Sequence, residues 1–293
     1  MLPLIYFSGG SVKGVWQRVN ERLIEQSAAR LLSFAYPEHL RPYCDLVRAM
    51  GTRSRVMVDS GAYTTWRQGK RTDLDDLSST FAALLDHYGD CCDFVLINLD
   101  VIPGSVGIDA DPDELDDAML ESQRNFEALN RRFPKLVLPV FHQDEPLSYF
   151  RALVQESPYI CLSPRNDMGE RRRVKWAQKF GDRAPMCRFH GLAATGFHMT
   201  RQVEWHSVDS AAWVRTAAVG NIFWPSTKRL LKLAVSPRSP ALKNFDLHID
   251  HLKAAVKRKV IDAIEAKGYT LDALKNEDTA RYMWNAQCWL EAR

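Results

Sequence analysis

Short apolar runs alternate with longer segments of helical spacing along the first two thirds of this chain, and no other feature limits its folding as strongly. The runs are LIYFS (4–8), LLSFAY (31–36), RVMVDS (55–60), DFVLINLD (93–100), KLVLPVFH (135–142), YICLS (159–163), CRFHG (187–191) and WHSVDS (205–210). Each has the length and residue types of a strand. Helical patterns separate them, for example over 15–26, 37–50 and 74–88. The fourth crossover opens Asp111-Pro112-Asp113-Glu114, an N-cap, a proline at the first helical position and an acid three residues after the cap. The seventh crossover, GFHMTRQVE, is short and gives the weakest helical signal. Parallel strands need crossover connections, so strict alternation implies a parallel sheet. Eight such units in roughly 210 residues suit an α/β fold of the (β/α)8 TIM-barrel type, usually about 250 residues long. An open doubly wound sheet ranks second, because neither a G-x-G-x-x-G fingerprint nor a Walker A loop follows the first run.

The pattern changes after residue 220. GNIFWPSTKRLLKLAV reads as a strand or hairpin, and the remainder as helices. The expected organisation is a barrel over 1–225 and a helical C-terminal extension over 226–293 packed on it. The composition agrees with a globular chain: 293 residues, 46% hydrophobic and 26% charged. No apolar run approaches the ~20 residues of a membrane span, and the N-terminus lacks the basic segment of a signal peptide. Six cysteines without a C-x-x-C pair read as reduced thiols, and adjacent Cys91 and Cys92 as a small-residue pair at a helix end. A cytoplasmic protein without a membrane partner is expected. The net charge of +3 is mild, but ERRRVK (170–175) and the region from Lys228 to Lys259 gather positive charge, a hint of a phosphate-facing side.

In a β/α barrel the active site lies at the C-terminal ends of the strands. The runs end in Ser8, Asp59, Asp100, His142 with Gln143, Ser163, His190 and Asp209. One aspartate at a strand end is ordinarily a turn former or an N-cap, and one histidine an ordinary hydrogen-bonded core residue. Three aspartates and two histidines on one face exceed what turns require. Two carboxylates across a pocket are the tools for breaking a glycosidic bond: one attacks the anomeric carbon, the other moves a proton at the leaving group.

These residues resemble a known family. VMVDSGAY is similar to the Asp-Ser-Gly-Gly-aromatic motif of tRNA-guanine transglycosylases, which are β/α barrels. RFHGLAATG followed by WHSVDSAAW resembles that family's later segment, where a glycine-rich strand precedes the nucleophilic aspartate. The resemblance covers roughly residues 4–225 and is closest to the phage and bacterial branch that places 7-deazaguanines into DNA. It implies that Asp209 attacks C1′ and holds a covalent sugar, and that Asp59 is the acid/base, with Ser60 and Gly61 beside it. Tyr63 would stack on the base, and Asp100 would read its N–H edge. His142 or Gln143 falls where the family has a base-binding glutamine. Ser163 replaces a glycine lining the pocket, and His190 with Gly191 would pack the base's other face. The implied partners are DNA, or some RNA, and a free 7-deazaguanine base. Trp213, Arg215, Lys228 and Arg229 are candidates for the nucleic acid, although a core or interface role suits Trp213 better.

Two departures stand out. Ala62 replaces the second glycine of the first motif. No cysteine lies between Asp209 and Cys288, so the C-x-C-x-x-C zinc site of the tRNA-type relatives is missing, and no metal or other cofactor is expected. That favours DNA as the polymer. Three alternatives remain: a metal-dependent barrel hydrolase using His142, His190 and Asp209, a tRNA-guanine transglycosylase without its zinc site, and a non-catalytic nucleic-acid-binding barrel. The sequence leaves the oligomeric state open.

Overall fold

The computed structural model describes residues 3–105, 108, 110–165, 167–225, 230–243 and 247–291. The apolar runs form one parallel sheet of nine strands: β1 (Leu4–Phe7), β2 (Ala29–Ser33), β3 (Ser54–Asp59), β4 (Cys92–Ile97), β5 (Val137–Leu138), β6 (Val140–His142), β7 (Tyr159–Ser163), β8 (Arg188–Gly191) and β9 (Ser207–Ser210). Their order is β5-β4-β3-β2-β1-β9-β8-β7-β6. The first strand pairs with the last, Leu4 opposite Ser207 and Tyr6 opposite Asp209. The two outermost strands, β5 and β6, are consecutive in the chain and separated by Pro139 alone. Proline has no N–H to give to a ladder, yet its carbonyl still accepts from Cys161 N–H at 2.9 Å. The segment 137–142 therefore binds β4 through its first half and β7 through its second. The result is a nearly closed, barrel-like sheet.

One set of side chains fills its interior. Tyr6, Leu31, Met57, Ile97, Leu138, Val140, Tyr159 and Cys161 form a single buried cluster drawn from β1 through β7. The alternate residues are buried too, which is why these strands read as continuous apolar runs rather than as a clean two-residue alternation. Phe141 on β6 meets Phe150 at 5.3 Å and Phe180 at 5.2 Å, on the helices of the next two crossovers.

The crossovers are α1 (Val15–Glu25), α2 (Leu40–Ala49), α3 (Ala62–Arg67), α4 (Leu74–Tyr88), α5 (Pro112–Arg132), α6 (Leu147–Glu156), α7 (Glu170–Arg183) and α8 (Phe197–Gln202). Asp111 and Glu114 form the reciprocal capping box that their spacing announced. The weakly signalled α8 exists because a distant residue caps it: Glu170 Oε1 accepts from the N–H groups of His198 and Met199. A Cβ on Gly196 would stand 2.2 Å from that same oxygen, so a side chain there would require the Glu170 carboxylate to shift.

Three local expectations need correction. The second strand begins at Ala29 and ends at Ser33, not at Tyr36, because the chain turns there to place Ser33 opposite Asp59. Helix α3 follows the Asp-Ser-Gly turn without having been foreseen. Cys91 and Cys92 stand at the entry to β4 rather than at a helix end, with their sulfurs 3.9 Å apart. All six cysteines are free thiols.

The chain forms two compact units. One comprises Leu2–Ser8 and Ile24–Ser210 and holds the nine-stranded sheet; the other comprises Gly9–Leu23 and Ala211–Arg293. The second thus begins earlier than residue 226 and includes most of α1. It also contains α9 (Ala212–Ala218), an antiparallel hairpin of β10 (Asn221–Pro225) and β11 (Leu230–Ala234), and α10 (Ala254–Glu265), α11 (Leu271–Asn276) and α12 (Asp278–Glu291). Asn285 on α12 ties this unit together. Its Oδ1 accepts from Phe223 N–H at 2.6 Å, and its Nδ2 donates to the carbonyl of Trp213 at 3.1 Å. Among the described residues no helix is long and apolar enough to cross a membrane.

Candidate active site

The turn after β3 is built around one carboxylate. Asp59 Oδ2 accepts from Ser33 Oγ at 2.8 Å and from Gly61 N–H at 3.1 Å. Gly61 adopts a φ of +77°, and a Cβ there would lie 2.7 Å from the backbone nitrogen of Ala35. Glycine alone satisfies both conditions. Gly61→Ala is therefore expected to lower the unfolding free energy by about 1–3 kcal/mol from backbone strain alone, as measured by urea denaturation. The neighbouring Ser60 is fully buried, with no hydrogen-bond partner for its Oγ among the described residues. Burial pushes the Asp59 carboxyl up to about 6. The Ser33 bond opposes the shift, the charges of Asp100 and Asp209 add to it, and the Gly61 bond opposes it more weakly. A carboxyl near 6 is suited to exchanging protons at neutral pH.

Asp209 is the penultimate residue of β9, with its side chain 13% exposed. Its Oδ1 accepts from Ala193 N–H at 2.8 Å and lies 3.4 Å from His190 Nε2, while Oδ2 makes no hydrogen bond among the described residues. Ala193 sits in the left-handed region at φ +50°, an uncommon conformation for alanine. That conformation belongs to the turn that presents its N–H to Asp209. A Cβ on Gly191 would meet the Cβ of Ala194 at 2.6 Å, so this glycine lets the same turn close.

Asp100 follows β4 and binds His142, with 2.9 Å between Oδ2 and Nε2. Burial disfavours charge on His142. The Asp100 hydrogen bond and the charges of Glu145 and Asp100 outweigh it and raise the imidazole to about 9. Burial likewise lifts Glu145 to about 7, against the pull of His142. Because the folded-state value of His142 lies above its ordinary 6.5, the interaction supports the fold fully below about pH 6.5 and is lost as pH rises through about 9. Asp100→Asn is expected to bring the His142 titration down toward 6.5, read from its ring proton shifts by NMR.

Cys161 lies in the interior of the sheet, and its thiol is pushed well up, first by burial and then by the charges of Asp100, Asp209 and Asp59. Asp59 on β3, Asp100 just after β4 and Asp209 on β9 lie far apart in sequence. Each also has one oxygen anchored and the other without a hydrogen bond among the described residues.

A cleft of about 790 Å³ is lined by Tyr63, Trp66, His142, Gln143, Ser163 and Arg165, among others. Asp59, Asp100 and Asp209 do not line it; His142 does, and it connects the cleft to Asp100. Tyr63 is 51% exposed and stacks on Trp66, with 6.0 Å between ring centroids. Trp66 is fixed by donating from Nε1 to the carbonyl of Gly104 at 3.0 Å. This second aromatic was missed, although Tyr63 and Trp66 stand three apart, the spacing of one helical face. Gln143 is committed within the protein: Oε1 accepts from Arg165 N–H, and Nε2 approaches Met168 Sδ at 3.0 Å. The backbone N–H of Gln143 donates to the carbonyl of Ser163 at 3.0 Å. Arg165 in turn pairs with Asp144 and Asp167.

Other candidates fall elsewhere. His190 is fully buried and meets Tyr6 edge-on at 5.9 Å, so it offers no face to a bound base. Trp213 is 1% exposed, packed between Trp16 at 6.1 Å and Tyr282 at 6.3 Å; it is a core residue and not a stacking platform. Arg215 is exposed on α9, whereas Lys228 and Arg229 lie outside the described residues. Among the described residues no three His, Cys, Asp or Glu side chains are grouped to hold a metal ion. No family model matches the chain, and no curated protein matches it.

Proposed function

We propose that this protein is a base-exchange transglycosylase. It removes guanine from a nucleotide of DNA and inserts a 7-deazaguanine through a sugar held covalently on Asp209. The observation carrying this reading is the pair of strand-end carboxylates Asp59 and Asp209, each with one oxygen anchored by a backbone N–H and the other without a hydrogen bond among the described residues. The finer architecture that goes with it is a (β/α)8 barrel, in which the segments on either side of Pro139 count as one strand.

In this mechanism Oδ2 of Asp209 attacks C1′. The bond from C1′ to the base breaks, and its electron pair leaves with the base, which takes a proton from Asp59. The incoming base returns a proton to Asp59 and attacks C1′, releasing Asp209 as a carboxylate. One group can serve both directions because its pKa lies close to the working pH. Asp100 accepts from the N–H edge of the base through the oxygen that His142 leaves open. Tyr63, backed by Trp66, supplies the stacking surface, a contribution of about 1–3 kcal/mol per base. The target nucleotide must leave the stack before its C1′ can be reached. Arg171, Arg172, Lys175 and Lys179 on the exposed side of α7 are suited to the phosphates.

The test is incubation of the folded protein with DNA and labelled guanine or 7-deazaguanine bases. Label is expected in the polymer, and its absence across several bases would overturn the reading. The same assay with tRNA in place of DNA checks the choice of polymer.

A further inference from the structure

We propose that His190 is a positioning residue: its Nε2–H faces Oδ1 of Asp209 and so favours Oδ2 for bond formation, an inference that rests on Asp209 being the attacking group. A buried row of side chains leads to this assignment. Tyr159 Oη lies 2.5 Å from Ser207 Oγ, and Ser207 Oγ lies 2.6 Å from His190 Nδ1. His190 Nε2 lies 3.4 Å from Asp209 Oδ1 and has no hydrogen bond of its own among the described residues. Ser207 and His190 are 0% exposed and Tyr159 is 8% exposed.

The direction of every proton follows from counting donors. Burial raises the phenol of Tyr159 well above the usual tyrosine range, against the opposing effect of the Ser207 bond, so it keeps its proton. Among the described residues Ser207 Oγ is its hydrogen-bond partner, and a buried hydroxyl donates where it can. Ser207 then accepts from Tyr159 and gives its own proton to Nδ1. A neutral imidazole carries one proton. With Nδ1 as acceptor, that proton resides on Nε2, facing the carboxylate. The opposite tautomer would set a nitrogen lone pair against a carboxylate oxygen and leave Ser207 Oγ with two donors and its own proton unplaced.

The consequence is an asymmetric nucleophile. Oδ1 accepts from Ala193 N–H and has His190 Nε2, with its assigned proton, 3.4 Å away, whereas Oδ2 makes no hydrogen bond among the described residues. When Oδ2 bonds to C1′, Oδ1 becomes an ester carbonyl oxygen. When the incoming base breaks that bond, negative charge returns to Oδ1, and both donors are already in place to receive it. His190 contributes to the departure of the carboxylate without touching sugar or base.

Long-range ¹H–¹⁵N correlation of the histidine rings tests the assignment directly. The expected result is a protonated Nε2 and an unprotonated Nδ1 for His190 in the wild-type protein. A proton on Nδ1, or on both nitrogens, would overturn it. Kinetics supply the second readout. His190→Gln keeps an N–H donor near the Nε2 position and is expected to retain release of the covalent sugar within about tenfold, whereas His190→Leu should slow it by about 10²–10³-fold. Equal losses in the two folded variants would reduce His190 to a packing role. Should the leucine variant fail to fold, the wild-type spectrum decides alone. A wild-type protein with the expected tautomer but no base exchange would overturn the proposed function and leave the ring assignment standing.

Discussion

Asp209→Asn is expected to lower base exchange by at least about 10⁴-fold, the scale seen when a covalent nucleophile is removed, while the protein still folds. The amide keeps an oxygen to accept from Ala193 N–H, which is the hydrogen bond that anchors this side chain at the end of β9. It offers no carboxylate to C1′. Trapping distinguishes this loss from one of binding. Wild-type enzyme mixed with DNA and quenched before the second base arrives should yield a protein–DNA adduct on a denaturing gel. The asparagine variant should yield none, with its affinity for DNA unchanged. An adduct of wild-type intensity in the variant would move the nucleophile to another residue.

Asp59→Asn is expected to do two opposite things. It removes the proton carrier, so exchange should fall by about 10²–10⁴-fold, the usual contribution of a general acid/base. It should also make the protein more stable at neutral pH. The folded-state carboxyl, pushed up to about 6 from 3.8, binds its proton more tightly than the unfolded chain does. Stability from this group is therefore complete below about pH 4 and is lost as pH rises through about 6. Above that, a partly buried charge near Asp100 and Asp209 costs up to about 3 kcal/mol by the linkage relation, less whatever solvent screening removes. The neutral amide avoids that cost and still accepts from Ser33 and Gly61. Urea unfolding at pH 8 should show Asp59→Asn more stable by about 1–3 kcal/mol, and the gain should vanish near pH 4. A variant less stable than wild type at pH 8 would mean that the Ser33 and Gly61 bonds outweigh the charge repulsion. A site that holds a destabilising charge in place bears the mark of function rather than of packing.

Much of the framework was legible because it depends on local patterning. Runs such as RVMVDS and YICLS have the length and residue types of strands buried on both faces, and the structure places β3 and β7 there. Asp111 and Glu114 announced a helix start because a capping box is completed within four residues. Less legible features depend on distant partners. LLSFAY is apolar throughout its length, and only pairing with β3 decided that the strand ends at Ser33. GFHMTRQVE is a poor helix by itself and becomes α8 because Glu170, from another crossover, satisfies its first amides. For Trp213 and His190 the sequence left both a core and a site role open; their burial, Trp213 among Trp16 and Tyr282 and His190 beside Tyr6 and Ser207, is a matter of packing.

The same division runs through the site. The sequence alone determined that carboxylates terminate three apolar runs and that a glycine turn follows the first, since side-chain period and turn chemistry act over a few residues. Only the tertiary structure decided that Ser33 holds one oxygen of Asp59, that His142 takes one oxygen of Asp100, and that Asp209 keeps an oxygen without a hydrogen bond among the described residues. Electrostatic coupling and hydrogen bonding depend on distances in space, and those are set by the pairing of β1 with β9 and the turn of the chain at Pro139.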